Sequence, residues 1–455
     1  MQSYNYDSMI IKKSNFLIYS LFDRYQLKII LFSVILSSLF YIYNVSAIDE
    51  INEKKLFLIN SSKIQNNITD NNTLSTDFNF SNVTNLTNNT LDSVYAQIAA
   101  VNNTVYMVWQ ESINDSSDNY DILFIKSEDN GNTFSKPINL SNNTGFSEHP
   151  QIAVYKNDIF IVWADNTNSN NIYIMFTKSE NNGTTFSKPI NLSNNTKNSN
   201  NVEISAFDGN VYVVWHEIID ENNYKNSSIM FKSSVDSGNT FNDTVKLATT
   251  ANDSYPKINS YHDYVYIVWN SENNEDFSKD NDNGGLFFIK SFDKGNTFGN
   301  SVRIANNNFG EAQISVSKDE ILIGWGGLHS KNINDVYFVK SYDNGTSFTD
   351  PYTIQVNKSK NKNYFEKINH PTHIEIATNE PSYIVWQNVI SKENHDILIA
   401  DIKSDFQSTK IVNLSNNTGI SECPQIAVGN NHIYVVWEDI TPGNHEILFT
   451  KGTTQ

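Results

Sequence analysis

The chain has a single cysteine, Cys423, in 455 residues, so no disulfide can form within it, and an exported domain of this size does not need one. It has two arginines, Arg24 and Arg303. That is too few for a site that grips a carboxylate with several planar guanidinium forks. Positive charge is scarce altogether: 32 lysines and arginines stand against 50 aspartates and glutamates, a formal net charge of -18. A surface of that sign repels nucleic acid and anionic lipid and favours cations or basic partners. The same charge also serves simply to keep a β-rich protein in solution. Phosphate-cradling glycine loops, HExxH, CxxC and a recognisable Ser-His-Asp set are missing too.

Residues 29–43 form an apolar run preceded by Lys12, Lys13, Arg24 and Lys28 and followed by Val45-Ser46-Ala47. Small residues at Val45 and Ala47 suit cleavage after Ala47, which makes residues 1–47 an export signal. The run is short of the roughly 20 residues a membrane span needs. The long basic region before it also fits an uncleaved signal anchor, the one route by which the protein would hold a membrane. Residues 48–77 lack periodicity and are rich in Asn, Ser and Thr, the composition of a tether. Sequons at Asn67, Asn82, Asn139, Asn191 and Asn413 fit an exported glycoprotein, although an Asn-rich chain also makes them by chance.

What the chain does have is a repeat. All seven tryptophans end the same phrase: VYMVW at Trp109, IFIVW at Trp163, VYVVW at Trp215, VYIVW at Trp269, ILIGW at Trp325, SYIVW at Trp386 and IYVVW at Trp437. They recur every 51 to 61 residues, the signature of a propeller or solenoid. In the clearest unit, 150–155 alternates as a first strand, 156–158 turns, and 159–163 is an apolar β-branched second strand. A third strand follows at 172–178 and a fourth near 187–193. Four short strands per unit make one propeller blade. First strands begin near Ala96, Pro150, Asn201, Pro256, Ala312, His373 and Pro424, giving a seven-bladed all-β propeller over residues 78–455. The seventh unit has no fourth strand of its own. Residues 80–90, FSNVTNLTNNT, match the outer strand of the first unit, FSKPINLSNNT. The N-terminal strand is therefore expected to complete the C-terminal blade, which removes an open edge. The tryptophans read as packing between blades.

A second phrase falls between third and fourth strands. It reads SEDNGNTF with Asp129 and Gly131, SVDSGNTF with Asp236 and Gly238, SFDKGNTF with Asp293 and Gly295, and SYDNGTSF with Asp343 and Gly345. In unit two Asn181 takes the Asp place, with Gly183. Ser and Asp suit capping of turn amides, Gly a positive φ, and Phe a plug for the blade core. The phrase resembles the Asp-box, or bacterial-neuraminidase repeat, S-x-D-x-G-x-T-F, of sialidase-type propellers. Units six and seven have lost most of it. The resemblance implies structural turns on the face opposite an active site. It also implies a three-arginine cluster, a Tyr–Glu nucleophile pair and an Asp acid/base. This chain cannot supply the arginines: Arg24 is in the export signal and Arg303 in an outer fourth strand. Family propellers usually have six blades, and the likeness therefore carries fold rather than activity.

The opposite face carries Glu111, Glu148, Asp165, Glu217, Glu422, Glu438 and Asp439, with Glu311 nearby. Such a rim could bind Ca²⁺ through oxygen ligands, hold a basic peptide, pair two carboxylates for glycoside hydrolysis, or merely be solvated. His149 and Cys423 occupy equivalent positions and would make a thin metal pair. The reading is a monomeric, exported, non-catalytic recognition module for glycan, cation or protein. A sialidase-like exo-glycosidase with a rewired site is the alternative.

Overall fold

The computed structural model describes residues 79–453 apart from 115–118, 168–170, 195–196, 220–226, 251–253, 272–284, 307–310, 331–332, 356–372, 379–381 and 403–410, and apart from the side chains of 327–335 and 355. The expected export segment and tether lie outside these residues.

Among the described residues, twenty-eight strands form seven four-stranded antiparallel sheets. Blade one comprises β2–β5 (Ser93–Val101, Thr104–Ser112, Tyr120–Ser127, Ile138–Asn139) and blade two β6–β9 (Ser147–Tyr155, Asp158–Asp165, Tyr173–Ser179, Ile190–Asn191). Blade three comprises β10–β13 (Ser199–Phe207, Asn210–Ile218, Ser227–Ser234, Val245–Thr250) and blade four β14–β17 (Lys257–Tyr261, Tyr264–Ser271, Gly285–Ser291, Val302–Asn306). Blade five comprises β18–β21 (Ala312–Val316, Ile321–Ser330, Ile333–Ser341, Tyr352–Gln355) and blade six β22–β25 (Ile374–Ala377, Ser382–Ser391, Asn394–Ile402, Ile411–Asn413). Blade seven joins β26–β28 (Ser421–Gly429, His432–Asp439, Glu446–Thr453) to β1 (Thr84–Asn85) in the order β1-β28-β27-β26. Thr84 pairs with Phe449 and Asn85 with Leu448. Ser81 N–H donates to Lys451 O, and Leu86 N–H to Ile447 O. The chain thus closes its ring as the sequence led one to expect, and no blade is left with three strands.

First strands touch one another around the ring, β2 to β6, β6 to β10, and so on to β26 and back to β2, so they line the axis. Between successive blades lie seven apolar cores, and each contains one tryptophan. Trp163 sits with Tyr106, Val108 and Phe124 of blade one, Trp215 with Phe160, Val162 and Phe176 of blade two, and Trp109 with Tyr434, Val436 and Phe449 of blade seven. Trp269, Trp325, Trp386 and Trp437 hold the same place in the remaining four. Second strands are apolar on both faces because both faces meet a neighbouring blade.

The recurring turns bind consecutive blades. In the third, Ser234 Oγ donates to Asp236 Oδ1 (2.7 Å) and accepts from Gly238 N–H, while Asp236 accepts from both the amide and the hydroxyl of Thr240. The same net recurs around Asp129, Asp293 and Asp343. At Asn181 the side-chain amide donates to Thr185 Oγ1 instead. The Thr240 backbone donor, and then its hydroxyl and that of Ser234, hold the Asp236 carboxyl down to about 2. Gly238 has φ +71°, and a Cβ there would stand 2.6 Å from Cζ of Phe176 in the preceding blade. Lys178 of that blade reaches over to Ser237 O and Asn239 Oδ1 of the turn.

Candidate functional site

Four first strands start about three residues before the alternation suggests. Their ladders shift register between Val94 and Gln97, Glu148 and Gln151, Asn200 and Glu203, and Glu422 and Gln425. At each shift one residue takes a left-handed conformation: Tyr95 (φ 53°), His149 (51°), Asn201 (48°) and Cys423 (50°). These are bulges at the axis, where they re-aim side chains. With Tyr255, Glu311 and His373, the residues two places before the next inward position in blades four to six, they surround the channel mouth. This is the end of each blade opposite the S-x-D-x-G turns, since Ser127 pairs near the start of β3 and Ser93 near its end.

Two residues further along each first strand lies a second ring: Gln97, Gln151, Glu203, Lys257, Gln313, Glu375 and Gln425. Each is opposite the residue that precedes the blade's tryptophan. Lys257 Nζ is ion-paired with Glu203 Oε1, and Glu375 Oε1 accepts from Gln313 Nε2 (2.6 Å) and Gln425 Nε2 (3.1 Å). Burial raises the Glu375 carboxyl to about 8 against the pull of Lys257, and burial likewise raises Glu203. Burial alone would depress the Lys257 ammonium, but Glu203, Glu311 and Glu375 outweigh it and hold its pKa up. One ammonium is shared among three carboxylates, so the cation stays charged while the acids compete for it.

At the mouth, Tyr95 N–H donates to Glu438 Oε1 (2.7 Å) and His149 N–H to Gln110 Oε1 (2.8 Å), so each bulge is seated on the second strand of the blade before it. The Tyr95 and His149 rings meet edge to face at 4.4 Å, and Tyr95 is 41% exposed. Burial of its hydroxyl end, with Glu438 next, pushes its phenol up to about 12. Burial lowers His149, opposed by Glu311, so its imidazole favours the neutral form.

The acids expected at the rim divide into two groups. Asp165 Oδ2 accepts from Trp163 Nε1 (3.0 Å), Ser147 Oγ and Asn143 Nδ2, while its Oδ1 takes Thr167 N–H. Asp439 does the same with Trp437, Ser421, Asn417 and Thr441. Glu111 accepts from Trp109, Ser93 and Asn89. Glu217, in the equivalent place, instead faces Lys197 at 3.6 Å. The second group is at the mouth. Glu148 lies beside His149 (3.8 Å), and Glu422 pairs across the ladder with Glu438, whose carboxyl burial raises to about 8. Burial also drives the Cys423 thiol far up, with Glu438 and Glu422 adding to it. Tyr95 of blade one stands between Cys423 and His149 on the ring. The inward residues Glu203, Lys257 and Glu375 went unnoticed in the sequence. Aligning the seven first strands on their tryptophans would have exposed them as one polar column within an apolar alternation.

No family model and no curated protein matches the chain. Among solved structures it is similar to a Dyadobacter fermentans protein of unknown function, at 12% identity and a TM-score of 0.50, over 84% of this chain and all of that one. It is also similar to Trypanosoma rangeli sialidase in complex with sialic acid (12%, TM-score 0.47; 79% of this chain, 54% of that). A NanB sialidase variant from Streptococcus pneumoniae compares likewise (12%, 0.44; 79% and 68%). The chain thus spans about half the length of the trypanosomal enzyme. At these identities the likeness is one of fold alone.

Proposed function

We propose that the protein is an exported, non-catalytic propeller of Asp-box type that binds a glycan end lacking acidic groups at the mouth of its central channel. The observation that carries this reading is the two-tier lining. Exposed Tyr95 and Tyr255, with His149, offer ring faces and edges to a sugar. Beneath them, the amides of Gln97, Gln151, Gln313 and Gln425 both donate and accept, as vicinal hydroxyls require. Glu148 and Glu311 add acceptors and disfavour anionic sugars. Arg303 is in edge strand β17, paired with Phe287, and supplies no carboxylate clamp to the axis. Export rests on residues 1–47 alone.

The second reading, a sialidase-like glycoside hydrolase with a rewired site, is favoured by one feature: Glu422 and Glu438 face each other and one of them favours its protonated form. Glu438, however, is 4% exposed, covered by the Tyr95 backbone, and is poorly placed to meet a substrate.

The test is a glycan array followed by calorimetry on the full chain, with Tyr95→Ala and Glu311→Gln beside it. Saturable binding of a neutral or amino glycan, weakened at least about tenfold in Tyr95→Ala, is expected. Binding that survives both substitutions, or is confined to sialosides, would overturn the reading. Turnover of a fluorogenic glycoside panel, with and without Ca²⁺, would favour the hydrolase.

A further inference from the structure

Blade seven does something at its mouth that its counterparts do not. The residues paired at the first-strand bulge are Val94 with Gln110 in blade one, Glu148 with Ala164 in blade two, and Asn200 with His216 in blade three. In blade three the two side chains hydrogen-bond (2.8 Å). In blade seven they are Glu422 and Glu438. Two carboxylates directly opposite on one face of a ladder repel each other, and burying one of them makes the arrangement costlier. The Glu438 side chain is only 5% exposed.

A third ligand type completes the set. His445 lies in the connection from β27 to β28. Its backbone is pinned to blade one, with His445 N–H donating to Asp92 Oδ1 (2.9 Å) and Ser93 N–H to His445 O (2.8 Å). Its Nδ1 is buried and has no hydrogen-bond partner. That atom is 4.0 Å from Glu438 Oε2: near, but beyond hydrogen-bonding range. One ligand atom each from Glu422, Glu438 and His445 fall within 4.8 Å of one another. A buried ring nitrogen with no hydrogen-bond partner, two opposed carboxylates, and a gap that a direct bond does not fill are what a bridging cation requires.

We propose that Glu422, Glu438 and His445 bind a divalent transition-metal ion of the zinc class, which cross-links the strands of blade seven beside the contacts that close the ring. An imidazole ligand favours such an ion over Ca²⁺ or Mg²⁺, whose sites are built of oxygen. Glu438 already has the outer support that ligating carboxylates need, since its Oε1 accepts the Tyr95 N–H. The ion ties β26, β27 and the lead into β28 together, and the His445 backbone carries that tie on to the segment that follows β1. It does not depend on the glycan reading, whose ligand meets Tyr95 and the inward ring.

The experiment is titration of the metal-stripped full chain with Zn²⁺, by calorimetry and by the visible absorption of Co²⁺. His445→Ala, Glu422→Gln and, as a control, His432→Ala at the far end of β27 are measured alongside. The expected result is one ion per chain, affinity lowered by more than about tenfold in His445→Ala and Glu422→Gln, no change in His432→Ala, and a higher melting temperature with Zn²⁺ in the parent and His432→Ala but not in the two ligand variants. Glu422 is partly exposed, so its variant keeps the test usable if His445→Ala fails to fold. Absence of saturable binding, or equal affinity in the parent and both ligand variants, would overturn the proposal. So would a preference for Ca²⁺ that is indifferent to His445.

Discussion

Replacing Gly238 by alanine isolates the contact through which each S-x-D-x-G turn holds the blade before it. Two costs arise. The backbone is left-handed at φ +71°, a conformation that costs an L-residue about 1–2 kcal/mol. The new Cβ would also lie 2.6 Å from Phe176 Cζ and 3.2 Å from its Cε1. Phe176 cannot yield: it is 2% exposed, stacks on Phe160 and meets the edge of Phe241 at 5.0 Å. Overpacking of such a site costs about 1–3 kcal/mol more. Gly209 supplies the control, with φ +75° and nothing nearer to an added methyl than Ser237 Oγ at 3.5 Å. Both substitutions remove the same backbone freedom from the unfolded chain, so that effect cancels in the difference. Urea unfolding followed by tryptophan fluorescence should place Gly209→Ala about 1–2 kcal/mol below the parent and Gly238→Ala about 2–4 kcal/mol below. The double variant Gly238→Ala/Phe176→Leu should recover part of the gap, because the two sites touch. If the two glycine variants unfold within about 0.5 kcal/mol of each other and no coupling appears, the turns do not brace the neighbouring blade and the reasoning is wrong.

Two further outcomes follow from the site. Asp165→Ala strips the acceptor from Trp163 Nε1, Ser147, Asn143 and Thr167 and should cost about 2–4 kcal/mol in the same unfolding assay. Glu375 has its carboxyl raised from 4.5 to about 8. The native state therefore holds a proton that the unfolded chain has released in between, and its contribution is complete below about 4.5 and fades as pH rises to about 8. Glu375→Gln should flatten that decline, of at most about 1.4 kcal/mol per pH unit, in a pH series of urea midpoints; an unchanged slope would show that the buried Glu375 carboxyl does not set it.

The blade count and the ring closure were readable because each inter-blade core demands one large apolar body at a fixed place. The seven tryptophans mark those places directly, and FSNVTNLTNNT repeats the outer-strand phrase its position requires. The bulges were not readable. Tyr95, His149, Asn201 and Cys423 share no residue type, and nothing local says that they are left-handed. Without the bulges, Gln97 and Glu203 look like ordinary strand polar residues rather than an axial column. The acids two places after a tryptophan illustrate a different difficulty. Alternation returns Glu111, Asp165 and Asp439 to the same face as the indole, where they accept its N–H. Sequence composition describes them equally well as members of a charged rim. Glu422 and Glu438 are 16 residues apart in the chain, and only the shifted ladder sets them face to face.

Closing the ring through β1 has a consequence for synthesis. Thr87, just beyond β1, waits for Ile447, 360 residues later, before its hydroxyl can accept the β28 amide. At about 5–20 residues per second a ribosome needs roughly 20–70 s to make that stretch. Throughout that time β1 has no partner strand, and the blades already emerged stand in an open arc with an unsealed flank. A nascent chain of this design is exposed to pairing with another copy of itself until the last blade arrives. The two residues of β1 offer a stranger little to grip.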